Sequence, residues 1–218
     1  MAVRVFPNPG PTFDATYGVN PEVIDYLERE NDYYQKMTAH TEDFQKDLFE
    51  EMKARIKEDD ASLPYKLNGY FYITRFEKGK DYPIYTRKKD SLEAPEEILF
   101  DVNKMAKGHS YYNLRGISVS PDNTMVSFGV DTLSRRKYTI YIKNLVTGKL
   151  MQEVIPLTTG GATWANDNKT LFYSKKDEQT LRSNQIFKHI LGEDSADDVN
   201  VFTEQDETFN TFVYKTKS

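Results

Sequence analysis

Two stretches of this chain repeat one another. Val119-Ser120-Pro121-Asp122-Asn123-Thr124-Met125-Val126-Ser127-Phe128 aligns with Trp164-Ala165-Asn166-Asp167-Asn168-Lys169-Thr170-Leu171-Phe172-Tyr173 at an offset of 45 residues. Further on, Ile140-Tyr141-Ile142-Lys143-Asn144-Leu145 aligns with Ile186-Phe187-Lys188-His189-Ile190-Leu191 at 46. A looser copy stands upstream, in Lys66-Leu67-Asn68-Gly69-Tyr70-Phe71-Tyr72 followed by Tyr82-Pro83-Ile84-Tyr85-Thr86-Arg87. Within these units apolar residues alternate with period two, as in Val126, Phe128 and Val130 or Tyr138, Ile140 and Ile142. Turn residues punctuate them at Lys78–Asp81, Ser120–Asn123, Thr147-Gly148 and Asn166–Asn168. Many short strands with recurring turns restrict the fold to a sandwich, a barrel or a propeller. A four-stranded unit returning at this interval selects the propeller, whose blades repeat at about 40–50 residues. The spacing predicts blades over about 64–107, 111–157 and 161–207, with a fourth beginning in Phe209–Lys217. Propellers close with about four to eight blades, so the expectation is the front part of a longer polypeptide, with sheet edges left open.

The first quarter of the chain has a different period. Residues 1–19 hold three prolines and no periodicity, which predicts an extended arm or a tail foreign to the domain. At Asn20-Pro21-Glu22 the residue types are those of a helix start: a capping side chain, a proline at the first helical position and an acid near the positive end. Val23, Leu27, Tyr34 and Met37 then share a face. Asp25 and Arg29 stand four apart, acid before base, as in a stabilising helical pair. A second helix is predicted near Thr41, where Phe44, Leu48, Met52 and Ile56 form a stripe that needs an apolar partner. The domain reading is therefore an arm over 1–19, a helical segment over 20–60 and an incomplete propeller over 62–218: mainly β with N-terminal α-helices.

Composition removes several function classes. There is no cysteine, which excludes disulfides, thiolate catalysis and cysteine-bound zinc. Residues 22–60 carry 13 acids and six bases, and Glu193–Glu207 carries seven acids and no base. Nothing is basic enough for a nucleic-acid partner, and no apolar run is long enough for a membrane span or a signal peptide. A cytoplasmic location is expected. With 15 tyrosines and 13 phenylalanines, the chain is too aromatic to remain unfolded.

The sequence resembles the N-terminal half of the prolyl-oligopeptidase family of serine peptidases, and within it the oligopeptidase B branch. The resemblance rests on Pro21-Glu22-Val23-Ile24-Asp25-Tyr26-Leu27-Glu28-Arg29-Glu30-Asn31 and on the long run Tyr70–Tyr85. Asp101-Val102-Asn103, Gly108–Tyr112, Arg135-Arg136-Lys137-Tyr138, Trp164–Asp167, Asp177–Arg182 and His189–Gly192 extend it across about 20–218. It implies a two-domain enzyme. An α/β-hydrolase domain would carry a Ser-Asp-His triad, and a seven-bladed propeller would cap it, admitting short peptides cleaved after Arg or Lys. The helices over 20–60 would pack on that hydrolase domain.

The residues themselves supply no triad. Gly116-Ile117-Ser118-Val119-Ser120 lacks the second glycine of a nucleophile elbow and sits in a strand pattern. His40, His109 and His189 stand apart from any Ser/Asp pattern, and Glu193-Asp194 with Asp197-Asp198 lacks the glycine and spacing of a calcium loop. Catalytic residues, metal and cofactor are all expected to be absent, leaving residues 1–218 inactive alone. Trp164 is expected in the packing between blades. Arg135 and Arg136, at the turn after Asp131-Thr132-Leu133-Ser134, are the substrate-channel or interdomain candidates, because paired guanidiniums can hold a peptide carboxylate or an acid of the other domain. The expected partners are short basic peptides and the C-terminal hydrolase domain, with self-association through the uncovered stripe and edge. The alternative is a non-enzymatic β-propeller interaction module.

Overall fold

The computed structural model describes residues 20–216. The expected arm over 1–19 lies outside the described residues. The described residues divide into two compact units, 20–57 and 58–216.

The first unit is helical. Helix α1 spans Pro21–Thr38, and the Asn20 side chain accepts a hydrogen bond from Glu22 N at 2.9 Å, as its sequence start predicts. Asp25 and Arg29 form their i,i+4 ion pair at 2.6 Å. A 3-10 turn at Ala39–Thr41 leads into α2, Glu42–Ala54. The helix stops short of the expected 60, so Ile56 lies beyond it. Phe44, Leu48 and Met52 hold the stripe and are 67%, 41% and 59% exposed. No residue of either helix is buried.

The second unit is antiparallel. Strands β1 (Tyr65–Leu67), β2 (Tyr70–Arg75), β3 (Ile84–Lys89) and β4 (Glu96–Asp101) make a four-stranded sheet in sequence order. A short helix, α3 (Val102–Met105), follows, capped by Asp101; sequence reading did not foresee it. Seven further strands form one sheet in sequence order: β5 (Asn113–Val119), β6 (Met125–Asp131), β7 (Tyr138–Asn144), β8 (Leu150–Trp164), β9 (Thr170–Lys176), β10 (Ser183–Ile190) and β11 (Val199–Thr203).

The stretches expected as blades over 111–157 and 161–207 are joined here in one ladder. The reason is the 15-residue β8, which belongs to both. Its first half pairs with β7 (Ile140↔Ile155, Lys143↔Leu150) and its second half with β9 (Thr163↔Phe172, Trp164↔Leu171), while Thr158 pairs with both Tyr138 and Lys175. Leu157 and Gly160 have positive φ at the changeover, and the register shifts between Thr158 and Ala162. Gly160 passes so close to Gly116 and Gly129 that a Cβ on either would strike its backbone. Glycine at these three positions is what lets the kinked strand lie against β5 and β6.

The strand expected to open a fourth blade at Phe209–Lys217 is not seen among the described residues. Residues 209–216 form no strand, and Lys217 lies outside the described residues. The segment is tied down by Thr211 N to Ser183 O at 2.6 Å and by the Thr163 and Ser174 hydroxyls, which donate to Val213 O and Thr211 O. With no ladder partner among the described residues, it leaves Phe212 and Tyr214 exposed.

The alternating residues fill the interior. Val126, Phe128, Tyr112, Leu114, Leu99 and Phe100 form one cluster across both sheets. Ile140, Ile155 and Tyr173 form a second, and Ile142, Trp164 and Leu171 a third. Trp164 is 3% exposed, and its indole N–H donates to Ser118 O of β5 at 2.8 Å, so it is a packing residue, as expected. The repeated turns keep their geometry: Asn68, Asn123 and Asn168 all adopt positive φ. They are also joined side by side. Asn123 Nδ2 donates to Asn68 O at 3.1 Å, and Asp122 N donates to Asn168 Oδ1 at 3.0 Å.

Candidate functional site

The register puts the β6–β7 turn, 132–137, at the same sheet end as the β9–β10 turn, 177–182. A buried carboxylate builds the first of these. Asp131, the last residue of β6, accepts Leu133 N on Oδ1 at 2.8 Å and Arg136 N on Oδ2 at 2.7 Å. Two backbone donors on one carboxylate force a tight bend, and Ser134 and Arg136 take up left-handed φ of 56° and 55°. A non-glycine residue there costs about 1 kcal/mol or more, so the surrounding bonds hold it in place.

Two cations, Arg136 and Arg115, and this acid lie around a third cation, Lys176. Lys176 Nζ donates to Arg136 O at 2.6 Å. Burial depresses the Lys176 ammonium below its ordinary pKa, and the nearby Arg136 and Arg115 charges depress it further, against the pull of Asp131. The Arg115 guanidinium lies 5.3 Å from the centre of the Tyr138 ring, and Tyr138 OH donates to Asn113 Oδ1 at 2.9 Å. Arg135 and Arg136 are exposed, and neither guanidinium has a hydrogen bond or ion pair among the described residues. The structure thus brings Arg136 together with Arg115 and Lys176 and leaves Arg135 free on the turn. One buried acid among three bases gives net positive charge, and two unengaged forks suit a carboxylate. Sequence reading missed Asp131, Lys176 and Arg115. An Asp ending a strand before a Ser-containing turn is a signal for the first; the other two meet the turn only through long-range pairing.

Other chemistry-bearing residues have structural roles. Ser118 lies within β5, with its carbonyl bonded to Trp164. His189 is fully buried, its Nδ1 2.7 Å from Asp198 Oδ1, while Tyr173 OH donates to Asp198 Oδ2 at 2.7 Å. Burial, then the Asp198 carboxylate, pushes the Tyr173 phenol well above its ordinary pKa. His109 lies 5.4 Å from the Tyr112 ring. No group of three or more His, Asp or Glu among the described residues is arranged to hold a metal ion. No helix of the described residues is long and apolar enough to cross a membrane.

Residues 18–218 match the family model for the prolyl oligopeptidase N-terminal beta-propeller domain. The chain belongs to the prolyl oligopeptidase family. Family relatives include a Dipeptidyl aminopeptidase BI of Pseudoxanthomonas mexicana, 38% identical over 87% of this chain and 28% of that protein. A Protease 2 of Moraxella lacunata is 32% identical over 91% of this chain and 30% of its own length. Among solved structures, oligopeptidase B from Leishmania major superposes with a TM-score of 0.82 at 34% identity, covering 90% of this chain and 28% of that one. The chain therefore spans under a third of the length of these two relatives.

Proposed function

We propose that, in the full-length protein, this chain forms part of a propeller that covers a serine-peptidase active site and filters peptides by size, with cleavage after Arg or Lys. The observation that carries this reading is the match over 18–218 to a peptidase family's propeller domain, together with the superposition on an oligopeptidase B. In it, β1–β4 make the first blade, β5–β7 with the first half of β8 the second, and the second half of β8 with β9–β11 the third. Residues 209–216 lead into a fourth, and α1 and α2 pack on the hydrolase domain. Catalysis proceeds by acyl transfer on residues outside this chain, so residues 1–218 alone are inactive and associate through their uncovered apolar faces.

Arg135 and Arg136 hold a peptide carboxylate or an acid of the hydrolase domain. Arg136→Ala in the full-length enzyme is expected to lower kcat/KM on short basic peptides by about tenfold; an unchanged value removes this role. The reading as a whole is tested by a benzyloxycarbonyl-Arg-Arg amide. The full-length protein is expected to cleave it, whereas this chain leaves it intact. A second reading follows from the 38% identical relative, which is named a dipeptidyl aminopeptidase. An enzyme that needs a free amino terminus would ignore the blocked substrate and release Arg-Arg from an unblocked one. Cleavage of neither would favour the non-enzymatic interaction module.

A further inference from the structure

At the sheet end opposite the Arg136 turn, a cavity of about 560 Å³ opens between Met151–Val154 of β8 and the loop Gly192–Ser195 after β10. Its volume lies in the range of small-ligand pockets, about 300–1,000 Å³. Its two walls are fastened together: Gly192 N donates to Glu153 Oε1 at 2.8 Å, and Ser195 Oγ donates to Val154 O at 2.9 Å. The wall residue Glu153 is only 9% exposed. Its second carboxylate oxygen, Oε2, is buried with no hydrogen-bond partner among the described residues, and no ion pair forms on this side chain. Glu193 and Asp194 also line the cavity and are exposed, and no basic residue lines it.

A carboxylate this deeply buried ordinarily has a cation or several donors. Glu153 has one backbone donor, beside a preformed space rimmed by two further acids. We propose that this cavity receives the cationic end of a lysine or arginine side chain of a peptide or protein partner, with Glu153 as its charge partner and Met151 against its alkyl stem. A charge-assisted bond to Oε2 would supply the missing partner once the Glu153 carboxylate turns this oxygen toward the cavity. Glu193 and Asp194 would attract the cation from solvent. The inference does not rest on the peptidase reading.

The test is methyl NMR of the full-length protein labelled with 13C at methionine methyls, with the Met151 signal assigned from Met151→Leu. The probes are Nα-acetyl-lysine methylamide, its arginine counterpart and the neutral isostere Nα-acetyl-norleucine methylamide. A saturable Met151 shift is expected with the two cations and not with norleucine. Glu153→Gln, which still accepts from Gly192 N, should weaken binding at least tenfold. Absence of a saturable shift, equal shifts with norleucine, or full affinity in a folded Glu153→Gln protein would overturn the proposal. If Glu153→Gln does not fold, the exposed pair Glu193→Gln with Asp194→Asn decides instead: about threefold weaker binding supports the site, and unchanged binding overturns it.

Discussion

Helix α2 and strand β7 carry equally regular apolar patterns, yet their outcomes are opposite. Phe44, Leu48 and Met52 recur every four residues and remain largely in solvent, whereas Tyr138, Ile140 and Ile142 recur every two and are buried. Strand β7 has β6 and β8 on either side within its own sheet, and its buried Ile140 and Ile142 join apolar clusters. The helices are followed by a change of period at Ser62-Leu63-Pro64, after which the alternating residues of the central strands fill a β core. Periodicity reveals which face of an element needs covering. It does not reveal whether the covering surface lies in the same stretch of sequence.

Substitutions at matched positions should separate the two regions. Ile140→Ala, at a fully buried site, is expected to destabilise the β unit by about 3 kcal/mol in urea unfolding followed by Trp164 fluorescence. Leu48→Ala, on the exposed stripe, should move the same transition by less than about 0.5 kcal/mol. Equal costs would mean that the stripe is already covered within this chain. Gly116→Ala comes next. Its Cβ would collide with Gly160 O and it would have to hold a φ of 66°, so a loss of about 2 kcal/mol or more is expected, again confined to the β unit.

Acid should act on the repeated turns of the β unit. The Asp167 carboxyl accepts from the Thr170 hydroxyl and from Lys169 N and Thr170 N, which hold it at about 2, against an ordinary 3.8. A depressed carboxyl stabilises the fold at pH values above its unfolded pKa, and that contribution is lost as pH falls through 3.8 towards 2. Asp122, Asp177 and Asp206 are lowered in the same direction. Stability of the β unit should therefore fall in this window, and Asp167→Asn should make the fall shallower. An acid titration of unfolding identical in both proteins would contradict the assignment. The smallest effect belongs to the helices. Asn20→Ala removes the cap on α1 and should reduce helical circular dichroism, by an amount equivalent to about 1 kcal/mol at the helix start, without moving the β transition.

Where local chemistry decides the structure, the sequence was readable. The Asn20 cap, the Asp25–Arg29 pair, the asparagine turns and the inward Trp164 needed no long-range information. The merging of two expected blades into one seven-stranded ladder was not readable, because nothing local at Thr158-Thr159-Gly160 says that hydrogen bonding continues through the kink. The strand expected at Phe209–Lys217 had the right residue types but finds no ladder partner among the described residues. The candidate site was half legible: Arg135 and Arg136 stood out as a pair, but the buried Asp131 that shapes their turn and the Lys176 that grips it belong to the three-dimensional register. His189, Asp198 and Tyr173 were likewise invisible as a group, since two strands and a loop must pair before they meet.

Under the proposed function, this chain supplies walls around a peptidase centre and no part of its chemistry. The most direct measurement is kcat/KM of the full-length protein on a series of peptides that share one dibasic cleavage site and grow in length, ending with a folded protein that displays the site on an exposed loop. The account predicts cleavage of the short peptides, a steep loss as length increases and none of the folded protein. Cleavage of the folded protein as fast as of the shortest peptide would contradict it.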